Sequence, residues 1–254
     1  MKKRVDVLLV ERGLAETRQK AQALLLAGKV LVDEQKVDKA GRMVDAEAVV
    51  RLLGTLPYAS RAGTKLQAAL DHFGIAVAGR TCADLGASTG GFTDCLLQKG
   101  AVEVHAFDVG KGLLDWRLRS DRRVVVHDEF NVRHIRARDL PAALSLITLD
   151  LSFISLTKVL DPLAAALRGK GLLAPVDLIL LVKPQFEAGK GEVGKGGIVR
   201  DAAKRALALE SVAGFAVRHG YVSVGAIDSP LAGSKGNVEI LLYLRFDPGL
   251  SSSS

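Results

Sequence analysis

Hydrophobic positions in the first fifty or so residues follow helical spacing twice and then alternate. Residues 5–13 and 18–27 each carry one apolar face, and Thr17 is placed to cap the second helix at its N-terminus. The segments 29–32 and 49–52 alternate between apolar and polar residues and predict short strands. The pattern predicts a small α+β unit.

From residue 80 onward, apolar runs of strand length alternate with helical segments, and the last two runs predict an antiparallel pair. The seven predicted strands cover residues 81–85, 102–107, 124–127, 144–149, 178–182, 221–227 and 238–245. This order is typical of an α/β fold of Rossmann-like type, with a mainly parallel seven-stranded sheet and an antiparallel last strand.

Glycine and proline separate the two regions and place a linker at 54–60. The first domain is therefore predicted at 1–53 and the second at 61–247. The serine-rich end, 248–254, predicts a disordered tail.

A turn of small residues follows the first strand of the second region, in the stretch Asp-Leu-Gly-Ala-Ser-Thr-Gly-Gly-Phe-Thr-Asp at 84–94. Backbone N–H groups in such a turn can approach a ligand closely. The stretch fits the G-x-S-x-G elbow of α/β-hydrolases, but no His-Gly-Gly segment lies upstream to form an oxyanion hole. It does not fit the dinucleotide fingerprint, because Ser88 replaces the second glycine. A structural turn and the first motif of an S-adenosylmethionine methyltransferase both remain open.

A second glycine-rich stretch, 189–196, reproduces G-x-x-x-x-G-K, but Gly196 stands where a P-loop carries its Mg²⁺-binding hydroxyl. No helix start follows Lys195. We interpret this stretch as a mobile substrate loop with basic side chains from Lys190, Lys195 and Arg200.

Charged residues follow several predicted strands at their carboxyl ends, where open α/β sheets bind ligands. If the first and fourth strands are neighbours, Asp84, Asp150 and Lys183 line one edge of the sheet. Glu239, near the start of the last strand, points into the same end. Spacing alone is equally typical of a structural ion pair.

Composition narrows the functional classes. The 254 residues contain no apolar run long enough to span a membrane, and the chain begins with mixed polar sequence, which predicts a cytoplasmic protein. Two unpaired cysteines fit a reducing compartment, and five scattered histidines predict no metal site.

The net charge of +7 is concentrated at the start of the chain, where residues 1–61 hold 12 Lys/Arg against 8 Asp/Glu. Such an excess is typical either of a solvated basic surface or of a surface that binds a phosphate backbone. The candidate RNA-binding residues are Arg4, Arg12, Arg18, Lys20 and Lys29.

Residues 4–32 carry the sequence Arg-Val-Asp-x-Leu-Leu-Val-Glu-Arg-Gly-Leu-Ala-x-Thr-Arg-x-Lys-Ala-Gln-x-Leu-Leu-x-Ala-Gly-Lys-Val-Leu-Val, which resembles an S4-like RNA-binding domain. The later motifs Asp-Leu-Ser-Phe-Ile-Ser-Leu, Val-Lys-Pro-Gln-Phe-Glu-Ala-Gly and Asp-Ser-Pro-Leu-Ala-Gly-Ser-Lys-Gly-Asn-Val-Glu resemble the TlyA family, sometimes labelled haemolysins. The catalytic half of that family is similar to FtsJ-type RNA 2′-O-methyltransferases.

The resemblance implies a Lys-Asp-Lys-Glu tetrad, with S-adenosylmethionine as cofactor. Its matching positions are Lys65, Asp150, Lys183 and Glu239. It also implies ribosomal RNA as the substrate, with a cytidine of 23S rRNA as the target and 16S rRNA as a further candidate. A ribose hydroxyl is a weak nucleophile, so Lys183 is the predicted base and Asp150 its orienting partner.

The resemblance further assigns cofactor-binding residues. The set comprises Asp84, Gly86, Ala87, Ser88, Gly90 and Phe92 for the turn, Asp108 for the ribose, and Asp128 with Asn131 near the adenine. Asp108 lies 22 residues after Gly86, close to the offset typical of a ribose-binding acid. Leu113 and Phe130 depart from the family pattern, which predicts an altered cofactor affinity.

Two functions from other classes stay open. A membrane-lytic haemolysin would need a spanning or strongly amphipathic helix, and the sequence predicts neither. A non-catalytic RNA-binding assembly factor could have kept the same fold.

Overall fold

The computed structural model describes residues 2–53, 57–187, 198–199, 201–233 and 236–249. The chain divides into two compact units between Leu56 and Pro57. The first unit contains β1 (Lys2–Arg4), α1 (Val5–Glu11), α2 (Arg18–Leu26), β2 (Val30–Val32), β3 (Gln35–Val37), β4 (Met43–Asp45) and β5 (Val50–Leu52).

The first unit packs its two helices with two small antiparallel sheets, β3-β2-β5 and β1-β4. Val5, Leu9 and Leu25 are fully buried in its core, as the helical spacing predicts. Thr17 caps α2, because its side-chain oxygen accepts a hydrogen bond from the Lys20 N–H at 3.2 Å. The pattern does not predict β1, β3 and β4, because each has only three residues and mostly polar exposed positions.

The second unit alternates strands and helices. Its elements are α3 (Ala62–Phe73), β6 (Thr81–Leu85), α4 (Gly91–Gln98), β7 (Glu103–Phe107), α5 (Trp116–Arg119), β8 (Val124–His127), β9 (Leu144–Leu149), α6 (Thr157–Lys170), β10 (Val176–Val182), α7 (Pro184–Glu187), α8 (Ala202–Arg218), β11 (Tyr221–Asp228) and β12 (Ile240–Phe246).

Seven strands form one sheet in the order β11-β12-β10-β9-β6-β7-β8. The strands from β10 to β8 are parallel, and β12 runs antiparallel to both of its neighbours. The predicted fold class is confirmed, and β6 and β9 are neighbours. The strand order reverses between them, so a crevice at their carboxyl ends is the expected ligand site.

The sheet is covered on both faces. Along β10, Leu178 and Leu180 face one core and Ile179 faces the other, which is the alternation of a strand buried on both sides. Helices α6 and α8 pack on the first face, and α3 and α4 pack on the second. Each such fully buried side chain contributes about 2 kcal/mol to folding.

The start of the second unit is anchored on α4. The Ala59 N–H donates to Asp94 Oδ2 at 2.8 Å, and the Tyr58 ring is buried in the core beneath α3 and α4. Residues 57–60 of the predicted linker thus pack on the second unit. Residues 54–56 and 250–254 lie outside the described residues.

Candidate active site

The turn after β6 requires glycine at two positions. Gly86 has φ +90°, and a Cβ there would collide with the Asp150 carbonyl oxygen. Gly90 has φ +93°, and a Cβ there would collide with the Leu118 side chain. Gly86 thus lies directly against the backbone of Asp150, which follows β9. It leaves Ser88, with φ +50°, exposed at its tip.

Asp108, at the end of β7, holds this turn. Its Oδ2 accepts a hydrogen bond from the Ser88 N–H at 2.8 Å, and its Oδ1 accepts one from the Gly110 N–H at 2.7 Å. Each carboxylate oxygen keeps a further lone pair. The predicted ribose-binding acid therefore lies beside the turn and can still accept hydrogen bonds from hydroxyl groups.

Asp84 does not line the crevice, contrary to the expectation from its place at a strand end. Its carboxylate is fully buried and accepts hydrogen bonds from the Thr93 hydroxyl at 2.7 Å and the Thr148 hydroxyl at 2.9 Å. Burial raises the pKa of Asp84 to about 6. Phe92 and Ala87 also lie in the core. These three residues support the turn from within the domain.

The residues predicted near the adenine have partners in the chain. Asp128 Oδ2 accepts from Arg119 at 2.6 Å, and this hydrogen bond lowers the pKa of Asp128. Asn131 Oδ1 accepts from the Arg133 N–H at 3.1 Å and caps a short 3₁₀ turn. The Phe130 N–H donates to the Asp108 carbonyl oxygen at 2.8 Å, so this segment lies next to the ribose candidate.

The two departures from the family pattern lie in different surroundings. The Phe130 ring packs edge-on against Phe107 at 5.1 Å between centroids and borders the core. Leu113 is 48% exposed, and its side chain covers Gly110.

Four charged residues form two buried ion pairs at the carboxyl end of the sheet. Lys183 Nζ lies 2.6 Å from Asp150 Oδ1 and also donates to the Ser152 hydroxyl at 2.9 Å. Lys65 Nζ, on α3, donates to Glu239 Oε2 at 2.5 Å. Lys65, Lys183 and Glu239 are each less than a tenth exposed. The structure therefore brings the four positions of the predicted tetrad together as two pairs.

Strand register explains why these pairs are neighbours. Val182 of β10 pairs with Ile240 of β12, so Lys183 and Glu239 occupy the positions just beyond that pair. On β9, the Asp150 N–H donates to the Leu85 carbonyl oxygen at 3.1 Å, which places Asp150 beside the glycine turn. The glycine turn and the four positions of the predicted tetrad thus share one edge of the sheet.

Glu239 is held by the loop that precedes β12. The Ser229 N–H donates to the Glu239 carbonyl oxygen at 2.8 Å, and a Cβ on Gly233 would collide with the Glu239 carboxylate. Asn237 Oδ1 accepts from the Val199 N–H at 2.8 Å. Sequence reasoning missed the roles of Gly233 and Asn237, although both belong to the last motif quoted above.

Sequence reasoning also missed three residues on the two segments that carry Lys183 and Asp150. Ser152 contacts Lys183, and Phe153 next to it has φ +64° and is 92% exposed. Glu187 hydrogen-bonds the loop that carries both. The sequence could have indicated these residues, because all three lie within two of the quoted motifs. The predicted substrate loop with Lys190, Lys195 and Arg200 lies outside the described residues.

Most predicted RNA-binding side chains contact the first unit itself. Arg4 and Arg18 both bind the buried Asp6, at 3.0 and 2.9 Å. Arg12 donates to two backbone carbonyl oxygens at 2.5 Å each, and Lys20 pairs with Glu16. The carbonyl oxygen of Lys29 accepts from the Leu53 N–H at 2.6 Å.

Comparison with known proteins places both units. An S4 domain model matches residues 3–50, and an FtsJ-like methyltransferase model matches residues 58–246. The 16S/23S rRNA (cytidine-2′-O)-methyltransferase TlyA of Mycobacterium tuberculosis is 46% identical over 244 residues, which cover 95% of this chain and 89% of that protein. The chain belongs to the TlyA family of FtsJ-like methyltransferases. The predicted family is confirmed, and the chain is a methyltransferase.

Solved structures agree with this placement. A structure from Streptococcus thermophilus that carries the name hemolysin is 41% identical, with a TM-score of 0.71, and the match covers 97% of this chain and 89% of that one. An S-adenosylmethionine-dependent methyltransferase from Mesorhizobium loti has a TM-score of 0.51 at 15% identity, covering 71% of this chain and 97% of that one. The second likeness shows the fold alone.

Two kinds of feature are absent from the described residues. Within the described part of the chain, no helix is long and apolar enough to cross a membrane. The described residues also contain no group of three or more His, Cys, Asp or Glu side chains that could hold a metal ion.

Proposed function

We propose that this protein transfers the methyl group of S-adenosylmethionine to a ribose 2′-hydroxyl of ribosomal RNA, at a cytidine of 23S rRNA. The observation that carries the proposal is the pair of buried lysine–carboxylate contacts beside a glycine turn, at one edge of the sheet. The name of the Mycobacterium tuberculosis relative supports the substrate, with 16S rRNA as a second candidate. An rRNA substrate also supports a cytoplasmic location.

Lys183 is the proposed base. When bound, S-adenosylmethionine would supply an electrophilic methyl group, whose bond to sulfur breaks as the bond to oxygen forms, so that S-adenosylhomocysteine leaves. Lys183 Nζ would accept the proton of the ribose 2′-hydroxyl. A lysine can serve in its neutral form, whereas an arginine would keep its proton. Asp150 and Ser152 fix the position of Nζ. Lys65 and Glu239 hold each other and would position the ribose.

The glycine turn is the proposed cofactor cradle. Its backbone at Gly86, Ala87, Ser88 and Gly90 would contact the methionine part, and the free lone pairs of Asp108 would accept hydrogen bonds from the ribose hydroxyls. Asp128 and Asn131 would border the adenine. Asp84 and Phe92 would act indirectly, because both are buried beneath the turn.

Arg4 and Arg18 are proposed to bind RNA phosphates in an orientation set by Asp6. The Asp6 carboxylate is fully buried, and its hydrogen bond from Arg4 holds its pKa well below the usual range. The two guanidinium groups meet at one carboxylate oxygen while about half of each side chain stays exposed. The remaining N–H groups can form the planar contacts that phosphates favour.

Asp6→Asn tests whether the orientation of the two arginines, rather than the net charge, decides the affinity for RNA. The substitution removes one negative charge and so raises the net charge by one, which would strengthen RNA binding if charge alone decided the affinity. We expect weaker binding, by about threefold or more, because the neutral amide keeps only one acceptor oxygen and loses the charge that holds both guanidinium groups. Glu47→Gln makes the same charge change at an exposed position and should not weaken binding. If Asp6→Asn does not fold, Arg18→Lys replaces it, since it keeps the charge and removes the guanidinium.

The function is tested by incubating the protein with labelled S-adenosylmethionine and ribosomal subunits that lack the modification, and then mapping the label in the RNA. Label on one ribose 2′-oxygen supports the proposal, and no transfer to any rRNA overturns it. A target nucleoside flipped out of its stack could stack on the exposed ring of Phe153, which follows the Lys183 partner Ser152 in the chain. Cell lysis without a cofactor would favour a haemolysin, and RNA binding without transfer would favour an assembly factor.

A further inference from the structure

We propose that Glu187 is a positioning residue for the Asp150–Lys183 pair, through hydrogen bonds that tie the segment after β10 to the loop after β9. Glu187 lies outside the Lys-Asp-Lys-Glu set, and its carboxylate hydrogen-bonds Ser155 and Leu156. The inference rests on the proposed function, because its readout is methyl transfer.

The Glu187 carboxylate bridges to the start of α6. Its Oε2 accepts a hydrogen bond from the Ser155 hydroxyl at 2.5 Å, and its Oε1 accepts one from the Leu156 N–H at 2.8 Å. The Ser155 oxygen in turn accepts from the Thr157 N–H at 3.2 Å. Glu187 therefore satisfies backbone and side-chain donors at a helix N-terminus, where a carboxylate is favoured.

Two chain segments contact each other at three places here. The segment 183–187 follows β10 and carries Lys183, and the segment 150–156 follows β9 and carries Asp150. At one end, Lys183 contacts Asp150 and Ser152. In the middle, the rings of Phe153 and Phe186 lie 5.3 Å apart. At the other end, Glu187 contacts the loop just before α6.

The Glu187 contact is built differently from the lysine pair that it supports. Burial raises the pKa of Glu187, and both of its oxygens receive a hydrogen bond. The lysine pair instead joins two charged groups, Lys183 and Asp150, and the Asp150 side chain is 19% exposed. A base must lie within hydrogen-bond reach of its proton, and a displacement of about 1 Å can lower a rate about a hundredfold. Loss of the Glu187 contact would allow such a displacement.

Removal of the side chain by Glu187→Ala tests the proposal. We expect kcat to fall about tenfold to a hundredfold, with the KM for RNA and the Kd for S-adenosylmethionine within about threefold of the original. Glu187→Gln should restore most of the rate, because its amide oxygen can accept from the Leu156 N–H and its amide nitrogen can donate to the Ser155 oxygen. Glu210→Gln, at an exposed position on α8, is the matched control.

Ser155→Ala provides a milder variant should Glu187→Ala fail to fold. It removes one of the two hydrogen bonds to Glu187 and should lower kcat about threefold to tenfold. Added to Glu187→Ala, it should cause a smaller loss than it causes alone, because the two side chains act through a shared contact. The measurements are steady-state kinetics, calorimetric cofactor binding and thermal unfolding of the whole chain.

The outcomes separate this inference from the proposed function. If the unaltered protein methylates rRNA and Glu187→Ala does so at the same rate, the positioning role is overturned while the function stands. The role is also overturned if Glu187→Ala loses cofactor binding and thermal stability together with its rate and Glu187→Gln restores none of them. That result would mark a purely structural residue. If the unaltered protein transfers no methyl group, the proposed function itself fails.

Discussion

Buried carboxylates lie at both ends of the seven-stranded sheet, but they pair with different basic residues. At the amino end, Asp177 accepts hydrogen bonds from Tyr243 at 2.6 Å, Arg80 at 2.7 Å and Arg245 at 3.2 Å. At the carboxyl end, the carboxylates of Asp150 and Glu239 pair with lysines.

The difference is one of proton chemistry. Burial alone would raise the pKa of Asp177, but hydrogen bonds from the tyrosine and both arginines hold it below the usual value. A guanidinium group keeps its proton at any ordinary pH, so the arginines of this cluster cannot act as bases. A lysine can lose its proton, so the pairs at the carboxyl end can take part in acid–base chemistry. The same kind of ion pair is therefore structural at one end and a candidate for catalysis at the other.

Substitution of Lys183 should have the largest effect. Lys183→Ala removes the proposed base, and we expect the rate of methyl transfer to fall about 10²-fold to 10⁴-fold, with little change in cofactor binding. Lys183→Arg keeps the charge but cannot accept the proton, so it should be similarly inactive. Transfer assays with calorimetric cofactor titrations test both variants. Retained activity in either variant would remove Lys183 from the role of base.

Substitution of Asp177 should act on stability instead. Asp177→Asn leaves two arginines without their carboxylate, and we expect a loss on the order of 3 kcal/mol in the free energy of unfolding. Methyl transfer at a temperature where the variant is folded should remain near normal. Urea unfolding and transfer assays make the comparison, and a large loss of rate in the folded variant would contradict the division between the two ends.

The Asp177 cluster also predicts a pH dependence of stability. The folded-state pKa of Asp177 lies below its unfolded value of about 4, so its contribution is complete above pH 4 or so and is lost as the pH falls through the folded-state pKa. Urea midpoints measured at falling pH should decline less steeply in Asp177→Asn. If the urea midpoints of the two proteins fall equally with pH, the Asp177 carboxylate does not contribute to the pH dependence of stability.

Gly233 tests how closely the second lysine pair is held. A methyl group at this position would collide with the Glu239 carboxylate and displace it from Lys65. We expect Gly233→Ala to lower kcat about tenfold. Gly214→Ala, within helix α8, adds the same methyl group in ordinary contact distance and should leave the rate unchanged. Equal rates for both variants would show that the carboxylate can shift without cost to the reaction.

Ser88 should show the smallest effect. Its backbone N–H, not its hydroxyl, contacts Asp108, and that contact survives a change to alanine. We expect Ser88→Ala to weaken cofactor binding about threefold at most and to retain methyl transfer. Abolished activity would instead support a nucleophilic serine in this turn.

Much of the fold could be predicted because its signals are local. The bounds of β6, β8 and β9 agree with the apolar runs, and the Thr17 cap agrees with the sequence around it. The tetrad positions came from motif resemblance. The three-residue strands β1, β3 and β4 escaped prediction, because so short an element has no periodicity of its own.

The pattern of apolar residues and the motifs by themselves determined the class of fold, the family and the glycine turn. Only the tertiary structure decided which charges meet, because each partner depends on strand order and register. Lys65 and Glu239 lie 174 positions apart in sequence and touch only because α3 packs beside β12. The burial of Asp84 has the same cause, because Thr148, one of its two hydrogen-bond donors, lies 64 positions away in sequence.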